Sequence, residues 1–250
     1  MVGTSGPALV LPTGAASMNP AIDLAFVAAA MADPSRAIML SALLDGAALP
    51  AGELAYRARV TGPTASAHLS RLMDAGLIVG RRRGRFRYYE LAGSPVAEIV
   101  EAMTAMSPRM ATGSRSRVPP HLRHARLCYD HLAGALGVGL ADRLVAAGHL
   151  DLEAGDFRLS AVGEAAFADF GIDLAAVRRQ RRGFLRTCID WSERRPHVAG
   201  AVGAALTRRL FELDWIRRTL SVRGLEVTPI GVAGLRDRFG LAVGDVLPSA

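Results

Sequence analysis

Thr61-Gly-Pro-Thr-Ala-Ser-Ala-His-Leu-Ser-Arg-Leu72 is the stretch whose reading decides the fold. A hydroxyl residue with a proline two positions on marks a helix start. The side chain accepts from an otherwise unpaired N–H, and the N–H that proline lacks is not needed in a first turn. Beyond this start Ala65, Leu69 and Leu72 recur at helical spacing and predict one buried stripe. Thr64, Ser66, Ala67, Ser70 and Arg71 are left outside. Such a face, with hydroxyls, a methyl and a guanidinium but nothing bulky, fits a DNA major groove about 12 Å wide.

Upstream, Asn19-Pro20 reads as a cap and first turn, and Leu24, Val27, Ala28 and Met31 follow at the spacing of one buried helix face. Asp33-Pro34 starts a second helix that Gly46 ends. A short helix over 53–58 leads to a turn at Arg59-Val60, with Thr61 as the next cap. Downstream, Leu77-Ile78-Val79 and 86–91 are β-rich and joined through Arg81-Arg82-Arg83-Gly84-Arg85, a glycine-containing hairpin tip. Its arginines suit phosphates or the adjoining minor groove. Strand parity puts Arg85 and Arg87 on one face with Tyr89 and Leu91, so Arg87 serves either the sheet or DNA. Ser94-Pro95 opens a helix with apolar positions Val96, Ile99, Val100 and Met103. Three helices, a short turn, a polar-faced helix and a basic hairpin make a winged helix-turn-helix.

Five segments in register carry a resemblance: Met31-Ala-Asp-Pro-Ser-Arg36, Glu53-Leu-Ala55, Ala67-His-Leu-Ser-Arg-Leu72, Ala75-Gly-Leu-Ile78 and Gly84-Arg-Phe-Arg-Tyr-Tyr-Glu-Leu91. Over about residues 19–106 the chain resembles the arsenical-resistance repressor (ArsR) family of dimeric winged-helix regulators. The resemblance implies that Thr61, Thr64, Ser66 and Arg71 lie on the recognition helix, and that the helix over 95–106 joins the first helix in a dimer interface. His68 falls where the family often has a histidine beside the contact of that helix with the core, a structural role. The family's metal sites have no counterpart: the third helix reads Glu53-Leu-Ala-Tyr-Arg57 without cysteine, and 94–106 offers Glu98 and Glu101 but no histidine.

Composition agrees with a nucleic-acid partner. The 250 residues carry a net charge of +7, half are apolar, and all thirty basic residues are arginines. Lysine-based chemistry is therefore excluded, and the charge favours a polyanion. No apolar run approaches the 18–20 residues or so of a membrane span. Residues 1–18 read as a disordered leader rather than a signal peptide. Two cysteines give no disulfide framework and fit a reducing cytoplasm.

Residues 107–121, rich in Pro, Ser, Gly and Arg, read as a linker; Arg109, Arg115 and Arg117 are solvated charges or phosphate contacts. The segment 122–245 aligns with itself. His131-Leu-Ala-Gly-Ala-Leu-Gly137 matches His197-Val-Ala-Gly-Ala-Val-Gly203 at an offset of 66, and eight of twenty positions from His131 and His197 onward are identical. Arg126-x-Cys-x-Asp130 recurs as Arg186-x-Cys-x-Asp190, with Trp191-Ser-Glu-Arg-Arg-Pro196 inserted before the second histidine. Repeats over about 122–176 and 182–243 are expected, each reading helix, helix, hairpin, helix: a degenerate winged-helix unit. The counterparts of the recognition helix, 139–148 and 205–214, are expected to be shorter, and the first wing is acidic. This half therefore reads as an effector or assembly module. The architecture looks like a long subgroup of the same family.

Cys128, Asp130 and His131 with Cys188, Asp190 and His197 are ligand types suited to zinc or another thiophilic metal. Three readings stand: metal ligands, a thiol-redox switch, or small core residues in helical surroundings. Trp191, Arg194 and Arg195 form either a surface for a planar or anionic small molecule or a helix break with Trp191 packed down. A thiol enzyme using Cys128 with His131, and an interaction scaffold, are the weaker rivals, because no oxyanion-hole motif or phosphate loop accompanies them. The sequence thus predicts a mainly α chain with small β-hairpin wings, and a cytoplasmic, homodimeric, non-enzymatic repressor of double-stranded DNA with a metal or small-molecule effector.

Overall fold

The computed structural model describes residues 20–44, 46–106, 119–219 and 223–246. The leader, the Asn19 cap and the linker residues Arg109, Arg115 and Arg117 fall outside the described residues.

The N-terminal domain runs α1 (Pro20–Met31), α2 (Pro34–Ala42), β1 (Leu49–Pro50), α3 (Ala51–Ala58), α4 (Gly62–Asp74), β2 (Ile78–Arg83), β3 (Phe86–Leu91) and α5 (Ser94–Met106). The Asp33 side chain accepts from the Arg36 N–H at the start of α2, and Thr61 caps α4 by accepting from the Thr64 N–H. Arg59 adopts a left-handed φ of 54° and ends α3, which makes the tight turn into α4. β1 was not foreseen; it pairs Leu49 with Tyr89 and completes a three-stranded sheet of order β1-β3-β2. Leu54, Leu69 and Leu72 are wholly buried with Met39 and Leu43. One expectation fails: Leu24 and Ala28 of α1 are exposed, Val27 is half-buried, and only Met31 of that set is buried. Helix α1 is apolar on several sides, and the rest of the chain covers only its C-terminal end.

The C-terminal half begins with α6 (Pro120–His124), a helix that reaches into the stretch expected as linker. Then follow β4 (Arg126–Cys128), β5 (His131–Ala133), α7 (Gly134–Ala146), β6 (Leu150–Glu153), β7 (Asp156–Leu159), α8 (Ala161–Asp169) and α9 (Leu174–Arg178). The order hairpin, helix, hairpin, helix returns in β8 (Arg186–Ile189), β9 (Pro196–Ala199), α10 (Gly200–Glu212), β10 (Ile216–Arg218), β11 (Leu225–Val227) and α11 (Pro229–Phe239).

Two expectations are corrected here. Cys128 and His131 sit on a hairpin rather than a helix, because Tyr129 takes a left-handed φ of 59° and turns the chain back within two residues. The helices that follow each first hairpin, α7 and α10, are not short outward readers. Each has 13 residues, as α4 does, and most of their length is buried. A Cβ on Gly137 would lie 2.5 Å from the Leu132 carbonyl oxygen, and one on Gly203 the same distance from that of Val198. Glycine at these points lets hairpin and helix backbones touch, which makes these helices the centre of the half. One core unites Leu136, Leu140 and Leu144 with Val202, Leu206 and Leu210.

Between the two repeats of the C-terminal half lies a charged pair removed from water. Arg126 is 1% exposed and donates from Nη2 to Asp190 Oδ2 at 2.7 Å. Asp190 also accepts from the Gly134 N–H (2.7 Å), the Ser192 N–H and hydroxyl (2.8 Å each) and the Glu193 N–H (2.9 Å). The Trp191 ring covers the guanidinium at 4.2 Å. Burial works against charge on Asp190, but the Arg126 guanidinium and these donors hold its carboxyl well below the usual range. Removing one partner of such a pair leaves the other charge buried and uncompensated. Asp190→Asn is therefore expected to cost about 3–5 kcal/mol in urea unfolding. A depressed carboxyl stabilises the fold above its unfolded pKa and loses that contribution on acidification. Wild-type stability should accordingly fall below about pH 4 more steeply than that of the variant.

Candidate functional site

The outward face of α4 is built as its sequence dictates. Thr64, Ser66, Ala67, Ser70 and Arg71 are exposed, while Ala65, Leu69 and Leu72 anchor the helix from beneath. Thr61 Oγ1 lies 2.9 Å from Thr64 Oγ1, and Ser66 donates back to the Gly62 carbonyl at 3.0 Å, so these short side chains lie close to the backbone. The helix is held by a residue that sequence reasoning did not single out. Buried Arg36 donates to the Ala29 and Ala30 carbonyls at the end of α1, and its Nη1 lies 3.3 Å from Nδ1 of half-buried His68 on α4. The Asp-Pro-Ser-Arg motif thus ties three helices together.

The wing turns at Gly84-Arg85, with Arg83 opposite Phe86 and Arg82 opposite Arg87. All four expected wing arginines are exposed, but their surroundings differ. Arg81 donates to Glu90 at 2.7 Å, and the Arg85 guanidinium lies 5.1 Å from the Phe86 ring. Arg82 and Arg83 project at the tip. Arg87 belongs to the sheet: it lies over Tyr89 at 5.6 Å and contacts Met73 Sδ, and Gly80 provides the room.

A second constellation forms in the C-terminal half. Cys128 pairs across its hairpin with His131, and Cys188 pairs across its own with His197. Cross-strand partners share one face of a sheet. With the hairpins side by side, the donor atoms of all four residues come within 4.8 Å of one another. The two sulfurs are 3.9 Å apart and the imidazoles stack with centroids at 5.1 Å. The uneven spacing in sequence, Cys-x2-His against Cys-x8-His, comes from the loop 190–195, and the register is the same in both hairpins. The Cys188 sulfur and burial push the Cys128 thiol well up; burial and then the His131 ring push His197 well down, towards neutral imidazole.

Other expected ligands do not join this quartet. Asp190 is consumed by Arg126 and the backbone donors. Asp130 is paired with Arg182 and lies 3.4 Å from His131 Nδ1. The insertion after Asp190 is a hairpin loop, not a helix break. It packs Trp191 on Arg126, pairs Arg195 with Asp142 at 2.7 Å and turns at Arg194 with a φ of 57°. Glu193 faces Arg123 at 3.8 Å rather than an arginine of its own segment.

Helix α5 stands between the two halves. Its Glu98 pairs with Arg186 at 3.3 Å, and buried Glu101 pairs with Arg223, whose Nε donates to the Leu127 carbonyl beside Cys128. Its other face leaves Ile99, Met103 and Met106 exposed.

A helix-turn-helix domain family model matches residues 31–81, from the end of α1 into the wing. Over 216 residues the chain is 42% identical to the HTH-type transcriptional regulator YdfF of Bacillus subtilis, covering 86% of this chain and 95% of that protein. The chain belongs to the HTH-type transcriptional regulators. Its N-terminal motifs resemble those of the ArsR family. It is also 41% identical over 87 residues to the regulator CmtR of Mycobacterium tuberculosis, 33% of this chain and 73% of that one. A solved homodimeric winged helix-turn-helix domain from Mycobacterium bovis, described as from a possible ArsR-family regulator, covers 39% of this chain at 28% identity with a TM-score of 0.34; the match takes in 91% of that chain. The protein is a DNA-binding transcriptional regulator. Among the described residues no single helix is long and apolar enough to cross a membrane.

Arg36 supplies a test of how α4 is held. Arg36→Leu strands the Ala29 and Ala30 carbonyls and should cost about 2–3 kcal/mol, read as a lowered urea midpoint.

Proposed function

We propose that the protein is a cytoplasmic, homodimeric repressor that reads a specific duplex through α4 and the wing, and that its C-terminal half tunes this binding. The observation that carries the reading is the exposed Thr64, Ser66, Ser70 and Arg71 face set beside the Arg82–Arg83 tip. Side chains on α4, with Thr61 and Ala67 at its margin, reach base edges in the major groove. Arg81, Arg82, Arg83 and Arg85 neutralise phosphates. The N-terminal domain spans 19–106, and 122–245 is a duplicated module whose responsive centre is the Cys128, His131, Cys188 and His197 cluster. That set of side chains can serve a thiophilic metal or thiol oxidation.

Binding to the DNA upstream of its own gene, measured against scrambled duplex over a salt series, tests the reading; equal affinity for both would overturn it. Arg82→Ala with Arg83→Ala should weaken all sequences together and flatten the salt slope by about one unit per lost phosphate contact. Thr64→Ala or Ser66→Ala should instead change which sequence is preferred, by about 1–3 kcal/mol at the affected base pair.

Exposed Ile99 and Met103 on α5, with Leu24 and Phe26 on α1, support the dimer. Ile99→Arg with Met103→Glu is expected to halve the mass seen in sedimentation and to abolish tight operator binding. A dimer of unchanged strength would place the interface elsewhere.

A further inference from the structure

We propose that Cys128, His131, Cys188 and His197 form a closed, four-coordinate site for a thiophilic divalent cation, zinc foremost. This deepens the reading of the C-terminal half as a responsive module, and rests on it only for the regulatory consequence.

The geometry comes first. A tetrahedral zinc with sulfur ligands at about 2.3 Å holds those sulfurs about 3.8 Å apart. The two sulfurs here are 3.9 Å apart, and the remaining donor atoms fall within 4.8 Å of them and of each other. Two thiolates and two imidazoles are a common structural zinc set.

Unsatisfied polarity is the second, independent observation. His197 is 1% exposed, yet neither of its ring nitrogens has a hydrogen-bond partner; Nε2 of His131, 5% exposed, has none either. Buried polar atoms are almost always partnered, and an imidazole left bare on both nitrogens costs stability unless something else binds it. A cation among the four donors would satisfy one nitrogen of each ring.

The surroundings fit the same purpose. His131 Nδ1 faces the Asp130 carboxylate, itself fixed by Arg182, which leaves Nε2 for the cation. A carboxylate behind a ligating imidazole fixes its tautomer and raises its basicity. No carboxylate is needed within the quartet: the two thiolates formed when the cysteines lose their protons balance a divalent charge. The site draws half its ligands from each repeat, so occupation clamps the two hairpins together. The same hairpins meet α5 through Arg223 and Glu101, and this is the route by which occupation bears on the DNA-reading domain.

The test uses the full-length protein, reduced and stripped of metal, titrated with Co2+ in the absence of DNA. The expected result is one Co2+ per chain, with the intense visible bands of a tetrahedral ion and sulfur-to-metal absorption in the near ultraviolet, all erased by Zn2+. Cys188→Ser and His197→Gln should each lose this spectrum while keeping the wild-type far-ultraviolet circular dichroism. Should either variant fail to fold, the wild-type titration stands alone. Reduced protein that takes up no Co2+, or gives only the pale spectrum of an octahedral ion, overturns the proposal. So does a stable disulfide between the two cysteines in air together with no metal uptake by the reduced form, which would make them a redox pair. Because uptake is measured without DNA, failure here is distinct from failure of the repressor reading.

Discussion

The C-terminal half depends on one buried ion pair. Arg126 opens the first hairpin and Asp190 closes the last strand residue of the second into its loop, so their contact fixes how the two hairpins lie against each other. Everything around the pair serves to make its burial tolerable: Ser192 and three backbone N–H groups saturate the carboxylate, and Trp191 covers the guanidinium. Two charges taken out of water need this degree of satisfaction before they hold a structure together. The Cys–His pairs meet because this pair has already set the hairpins in register.

Helix α5 is where the two halves meet through ion pairs. One side carries Glu98 and Glu101 into ion pairs with Arg186 and Arg223; the opposite side is apolar and uncovered. A change at the Cys128 hairpin can reach this helix through only one intervening side chain, Arg223, which holds the Leu127 carbonyl with one nitrogen and Glu101 with another. That is a short physical path, made of charge-assisted bonds whose geometry is directional.

Most of the N-terminal domain was legible in the sequence because its signals are local: Asp33 and Thr61 as caps, the Ala65–Leu69–Leu72 stripe, and Gly84 at the wing tip. The fate of Arg87 was left open, since strand parity alone does not say what stands opposite; Met73 and Tyr89 decide it. The C-terminal half was harder. Its repeated residues were visible, including the Arg-x-Cys-x-Asp motif, but Arg-Leu-Cys-Tyr-Asp-His-Leu-Ala has helical composition and a turn made by tyrosine, which rarely takes a positive φ. Asp190 looked like a ligand until its partner, 64 residues away in sequence, was in place. The exposed part of α1 was misjudged for a related reason: hydrophobic spacing identifies a face and not what covers it.

The equal division of the quartet between two hairpins has a further consequence. Two separate copies of one such hairpin unit, set about a twofold axis, would bring together the same two sulfurs and two imidazoles, but only as a concentration-dependent association. Joining them in one chain replaces that encounter with an intramolecular one, at an effective concentration in roughly the millimolar range. It also relaxes the demand for symmetry. Six extra residues at 191–196 can lengthen one loop and cap Asp190, with no matching change at Asp130, where Arg182 does a similar job by another route.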